Sequence, residues 1–143
     1  MDAGTAESLL QHLPNFAGIY FARDLDKLAL LDFPSAFLIF HEQHWIALFI
    51  DTDLIEIFDP LGFITNKTLD SLHHFLKIQL NKKILHCSPR VQAANSSNCG
   101  KFTVCYLHWR LECQKNLTSF LELFSRDQIA NSDIIDTLFD SIK

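Results

Sequence analysis

Glycine and proline are scarce, four of each in 143 residues. A chain so poor in both has little room for linkers or low-complexity tracts, so it reads as mostly regular structure joined by short turns. No internal repeat is visible. No run of apolar residues is long enough to span a bilayer; the longest uninterrupted stretch considered, Phe37 to Phe40, is a strand's length. The first residues, Met1-Asp2-Ala3-Gly4, lack the basic and apolar regions of a secretory signal, which leads to an expectation of use inside a cell. Basic residues are outnumbered, 12 to 17, for a net charge of −5. That balance argues against a protein built to grip nucleic acid through its phosphates. No Cys-x-x-Cys pair occurs among Cys87, Cys99, Cys105 and Cys113, and no Gly-rich phosphate loop is present. The expectation is free thiols, mostly buried as small hydrophobes, with one available as a nucleophile.

What the chain has is apolar substance. Hydrophobic residues are 48% and charged residues 20%, and 13 of the aromatics are Phe. That excludes a disordered chain and predicts one packed domain across 1–143. A short first helix is predicted, with Thr5 as cap and Pro14 as stop. Residues 15–33 read as irregular, with Phe16, Ile19, Tyr20 and Phe21 anchoring them to the core. SAFLIFH (35–41), HWIALFID (44–51) and LIEIF (54–58) read as three strands. The two-residue gaps between them predict an antiparallel meander. A helix is predicted over 68–80 from Leu69, Leu72, Leu76 and Leu80, and a fourth strand over 84–87. Lys82-Lys83 reads as a solvated turn.

After a loop rich in Ser, Asn and Ala, a helix starts near Cys99. Its stripe is Phe102, Cys105, Tyr106, Trp109 and Cys113, so Cys105 and Cys113 are expected in the core. Two more amphipathic helices are predicted over 117–124 and 132–142. The fold class is α+β, with central strands and helices before and after.

Three residues stand out for chemistry. A thiol nucleophile needs a base beside the sulfur and a third group to orient that base. His44 opens a strand and Asp59 follows the end of the next, so an antiparallel pair brings them to one sheet edge. Cys99 opens a helix, where partial positive charge and unpaired N–H groups lower a thiol pKa. Gly100 leaves room for a substrate backbone. The N–H groups at this junction, with the Gln92 side chain, could hold an oxyanion. Each residue alone has a plainer reading: a surface histidine, a turn aspartate, a buried thiol. His41-Glu42-x-His44 is one residue short of the zinc motif His-Glu-x-x-His, and two residues three apart on one strand face opposite sides, so no metal is expected there. His73-His74 cannot share a helix face. The sequons at Asn66, Asn95 and Asn116 are taken as chance.

Three stretches, HWIALFID, IFDPLGF and VQAANSSNCGKF, together resemble the adenovirus protease (adenain) family of cysteine endopeptidases, in the same clan as the SUMO-specific proteases. The order His44, Asp59, Gln92, Cys99 is the family order. The seven-residue step from Gln92 to Cys99 is the viral type. The resemblance spans about residues 16–108 and implies an adenain-like fold with the nucleophile at the start of the central helix. Cys99 would then attack the scissile carbonyl, His44 act as base and then acid, and Asp59 orient His44. Gln92 and the Cys99 N–H would form the oxyanion hole, and Trp45 would pack beneath the site. The implied partners are viral capsid and core precursor polypeptides, in an infected cell or virion. An activating peptide is left open as a partner, and no membrane is involved. Adenain has Glu where Asp59 stands, is longer and basic, and is activated by DNA and a disulfide-linked peptide. Those activators are not carried over, and no cofactor is implied. A shorter relative fits the proteases of virophages and Maverick-type elements. A ubiquitin or SUMO isopeptidase, and a catalytically dead binding module, stay open as alternatives.

Overall fold

The computed structural model describes residues 1–27, 32–41, 44–62, 72, 76, 82–86, 90–93 and 97–143. Helix α1 spans Ala3–Leu10, followed by strand β1 (Phe16–Phe21) and a 3-10 helix (Ala22–Lys27). Strands β2 (Ser35–His41), β3 (His44–Ile50) and β4 (Leu54–Phe58) come next, then β5 (Lys83–His86). Helices α2 (Cys99–Leu111), α3 (Leu117–Leu121) and α4 (Gln128–Ile142) complete the described chain.

The five strands lie in sequence order. β2, β3 and β4 form the antiparallel meander, with Phe37 opposite Leu48 and Ala47 opposite Phe58. The edge strands β1 and β5 pair parallel with β2 and β4. The protein is therefore α+β, with a central, mainly antiparallel sheet and flanking helices.

Side-chain alternation divides the core in two. Ala36, Leu38, Trp45, Ala47, Phe49 and Phe58 face one cluster, which α2 fills with Phe102, Val104, Cys105, Tyr106 and Leu107. Phe37, Ile39, Ile46, Leu48, Ile50, Ile55 and Ile57 face the other, with Leu72 and Leu76. A sheet covered on both faces explains why its strands read as nearly continuous apolar runs.

Several expectations change. The cap of α1 is Asp2, whose carboxylate accepts from the Thr5 N–H at 2.7 Å; Thr5 lies inside the helix. Segment 16–21 is a strand rather than irregular. Gly18 has φ +115° and the pairing shifts between Phe16 and Ile19, so no clean alternation marks it in the sequence. Lys83 opens β5, and Lys82 donates to the Thr52 carbonyl with its ammonium over the Phe33 ring. α2 ends at Leu111, which leaves Cys113 exposed rather than in the core. Cys105 is buried, and that burial pushes its thiol up to about 12. Asn116 caps α3 by accepting from the Ser119 N–H. Most of the helix predicted over 68–80, including His73-His74, lies outside the described residues, though Leu72 and Leu76 are helical and buried. Cys87, Asn66 and Asn95 also lie outside them.

One buried carboxylate ties α2 to the sheet. Glu56 on β4 is 2% exposed. It accepts from the Tyr106 hydroxyl at 2.6 Å and from the Leu117 N–H at 3.3 Å, and pairs with Arg110 at 3.3 Å. Arg110 in turn lies over the Phe49 ring at 3.9 Å. Removing one member of such a set strands the others in low dielectric. Glu56→Ala is expected to cost about 3–5 kcal/mol in urea unfolding. Tyr106→Phe, which removes one bond and keeps the ring, should cost about 1–3 kcal/mol.

Candidate active site

The register of β3 on β4 decides where the site forms. His44 is the first residue of β3 and Asp59 follows the last residue of β4, so the hairpin brings them to one edge. His44 Nε2 and Asp59 Oδ1 are 2.6 Å apart. Asp59 Oδ1 also accepts from the Leu61 N–H at 3.0 Å. The carboxylate is nearly buried, so its direction is set by the turn rather than by water.

Cys99 stands at the first position of α2 and is 6% exposed. It is hydrogen-bonded to the His44 side chain, and the backbone N–H groups of Trp45 and Gly100 also point at its sulfur. With Nε2 committed to Asp59, the imidazole nitrogen left for the thiol is Nδ1. Burial on its own pushes the imidazole down. The Asp59 hydrogen bond and the Cys99 sulfur more than reverse this, raising His44 to about 9. Burial likewise pushes the Cys99 thiol up, but the His44 hydrogen bond, the Trp45 N–H and the imidazolium charge bring it below its ordinary value. With the thiol brought down and the imidazole pushed up, the arrangement favours the proton on His44 rather than on Cys99.

Gln92 is buried and belongs to a segment tied to the same turn. The N–H groups of Val91 and Gln92 both donate to the Pro60 carbonyl, at 3.0 and 2.9 Å. Arg90 Nε donates to the Leu61 carbonyl at 2.9 Å. This contact needs Gly62: its φ is +78°, and a Cβ there would lie 3.2 Å from the Arg90 backbone. On the far side, the fully buried Asn131 donates to the Val91 carbonyl at 3.0 Å and the Ser125 carbonyl at 2.9 Å. Sequence reasoning missed Asn131 and Glu56. Gly62 was legible as a turn residue; a lone Asn or Glu among apolar neighbours carries no signal of its contacts.

Trp45 lies beneath the start of α2, buried and packed at a tilt against Phe40, with ring centroids 4.7 Å apart. The space beside Gly100 differs from expectation. A Cβ on Gly100 would meet the Met1 Cβ at 2.9 Å, the Met1 Sδ at 3.3 Å and Trp45 Cδ1 at 3.4 Å. Met1 and Trp45, rather than open room for a substrate, fill it, because the residues ahead of α1 fold back onto α2. An adjoining cleft of about 520 Å³ runs between α1, α2 and α4, lined by Asn98, Lys101, Phe139 and Lys143 among others. His41 and His44 lie on different strands, paired directly across the hairpin, and Glu42 lies outside the described residues.

No family model matches the chain, and no curated protein matches it in sequence. Solved structures do match in fold. The central domain of the uncharacterized Lpg1148 protein from Legionella pneumophila superposes with a TM-score of 0.59 at 15% identity, covering 98% of each chain. The ASFV pS273R protease gives 0.55 at 16% identity over 90% of this chain; the match spans 58% of that protease. The SUMO protease Ulp1 with its catalytic cysteine oxidized to a sulfinic acid gives 0.53 at 16% identity, covering 100% of this chain and 79% of that one. The chain has the adenain/Ulp-like cysteine protease fold.

The pKa directions yield a test that needs no substrate. Cys99 should be alkylated by iodoacetamide well below pH 8.5, roughly tenfold or more faster at pH 6 than Cys113. In His44→Ala the favourable partner is gone and burial remains, so Cys99 should fall behind Cys113. Mass-spectrometric alkylation rates from pH 5 to 9 check both outcomes.

Proposed function

We propose that the protein is a cysteine endopeptidase. The observation that carries this reading is one imidazole, His44, holding Asp59 on Nε2 at 2.6 Å and the Cys99 thiol on its other side. Such a pair suits acyl transfer. The Cys99 thiolate attacks the scissile carbonyl carbon and a C–S bond forms. The carbonyl π electrons move to oxygen, where the Cys99 N–H and the Gln92 amide are the proposed donors. His44 gives its proton to the leaving nitrogen as the C–N bond breaks. Neutral His44 then takes a proton from water, whose oxygen attacks the thioester. Collapse releases the carboxylic acid and restores thiolate and imidazolium. Asp59 keeps the imidazole oriented throughout. Trp45, buried beneath the start of α2, supports the site from below.

The substrates we propose are capsid and core precursor polypeptides of a virus, cut during virion maturation in the infected cell. The seven-residue Gln92–Cys99 step and the FDPLGF stretch, both of the adenain type, support this choice. The second reading is an isopeptidase acting on a ubiquitin-like modifier, favoured by the Asp at position 59 and the likeness to Ulp1. Cys99→Ala should lower cleavage of a precursor polypeptide by about 10³-fold or more. His44→Ala should do the same, and Asp59→Asn should cost a smaller factor. Equal activity of Cys99→Ala and the parent would overturn the reading. Cleavage of SUMO conjugates with no cleavage of precursor would favour the isopeptidase.

A further inference from the structure

Away from the proposed catalytic groups, three side chains converge where the end of α1 meets the last turn of α2. They are His12, His108 and Glu112, and one ligating atom from each lies within 4.8 Å of the others. His108 and Glu112 are four apart on α2 and share a face, though Glu112 stands just past the helix's last residue. His12 follows α1, nearly a hundred residues away in sequence.

The hydrogen bonding of His108 is what makes this a site. His108 is 5% exposed. Nε2 is 3.0 Å from the Leu9 carbonyl. A carbonyl only accepts, so Nε2 carries the hydrogen. In the neutral imidazole Nδ1 is then a lone pair, and it faces Glu112 Oε2 at 3.0 Å. Two electron-pair donors facing each other at that distance need a cation between or beside them. A proton on Nδ1 would serve for those two atoms alone. It gives no role to His12, whose ring lies 5.7 Å from that of His108, centroid to centroid. A metal ion uses all three. Ligands of a tetrahedral ion with bonds of ~2.0–2.1 Å stand roughly 3.3 Å apart, close to the His108–Glu112 separation. His12 is exposed, so its side chain can close the remaining distance. The Leu9 carbonyl already supplies the outer hydrogen bond that fixes the tautomer of a metal-bound histidine.

We propose that His12, His108 and Glu112 bind one divalent transition-metal ion, with Zn²⁺ the ion of choice for two imidazoles and a carboxylate, water completing the shell. The ion clamps α1 to α2. Because the residues ahead of α1 seat Met1 on Gly100, the clamp also holds that cover in place at the far end of the helix.

The test uses the full chain carrying Cys99→Ser, so that Zn²⁺ cannot be held by the Cys99 thiolate. Titration against a chromophoric zinc indicator should show one equivalent bound, and Co²⁺ should give the d–d absorption of a four-coordinate site. His12→Gln changes an exposed residue and should fold normally. It and Glu112→Gln should each weaken binding at least about tenfold. Zn²⁺ should raise the thermal midpoint of the parent and not of His12→Gln. No bound equivalent would overturn the proposal and leave His108–Glu112 an ion pair. So would an equivalent that survives both variants, or one that Cys113→Ser removes while His12→Gln does not.

Discussion

The structure depends on α2 being buried along nearly all its length. Of its 13 residues, only Lys101, Trp109 and Arg110 are outside the buried set. A helix buried on almost every side must be covered by several elements: β2 and β3 above, α1, α3 and α4 around it. Its position is therefore over-determined, and its first residue, Cys99, cannot wander. The sheet meets this fixed point with an equally fixed edge. Shifting β3 on β4 by one residue would exchange the two core faces, so the pairing of Ala47 with Phe58 is enforced by every apolar side chain on both strands. The meeting of His44, Asp59 and Cys99 is a by-product of two strong packing constraints.

Buried polar groups refine what the apolar core sets. Glu56 is the only buried carboxylate on the α2 face of the described strands, and it binds α2 through Tyr106 and Arg110 and the start of α3 through Leu117 N–H. Asn131 acts similarly for the Gln92 segment, joining it to α4. The Pro60 carbonyl joins it to the Asp59 turn. Gln92 and Asp59 thus belong to one hydrogen-bonded unit. A disturbance of either turn is felt by both the orienting carboxylate and the proposed oxyanion donor.

How much of this was legible follows from range. The meander was readable because its strands are apolar, short and separated by two residues, so local pattern and topology agree. His44 and Asp59 followed from that hairpin alone. The helix starting at Cys99 was readable as a helix, but its stripe understated its burial: Thr103, Val104 and Leu107 lie off the stripe and are as buried as those on it. β1 was missed because a parallel edge strand gains its identity from β2, not from its own alternation, and Gly18 breaks what alternation it has. Met1 on Gly100, Asn131 on Val91 and His12 beside His108 are contacts across 40 residues or more. No local pattern encodes them, since each side chain is ordinary where it stands.

The aspartate at position 59 serves a turn and an imidazole at once. Asp59 Oδ1 accepts from the N–H two residues on, the short-range bond by which an aspartate organises a turn. The same oxygen accepts from His44. The turn therefore aims the carboxylate, and the carboxylate aims the imidazole. A glutamate is one methylene longer. It would lose the fit to the Leu61 N–H and would need another group to hold its direction. The shorter aspartate is held by this chain's own backbone, through the Leu61 N–H. The next link is Gly62, whose left-handed backbone lets Arg90 approach and close the turn against the Gln92 segment. The turn from Asp59 to Gly62 thus aims His44, and the burial of α2 brings Cys99 to meet it.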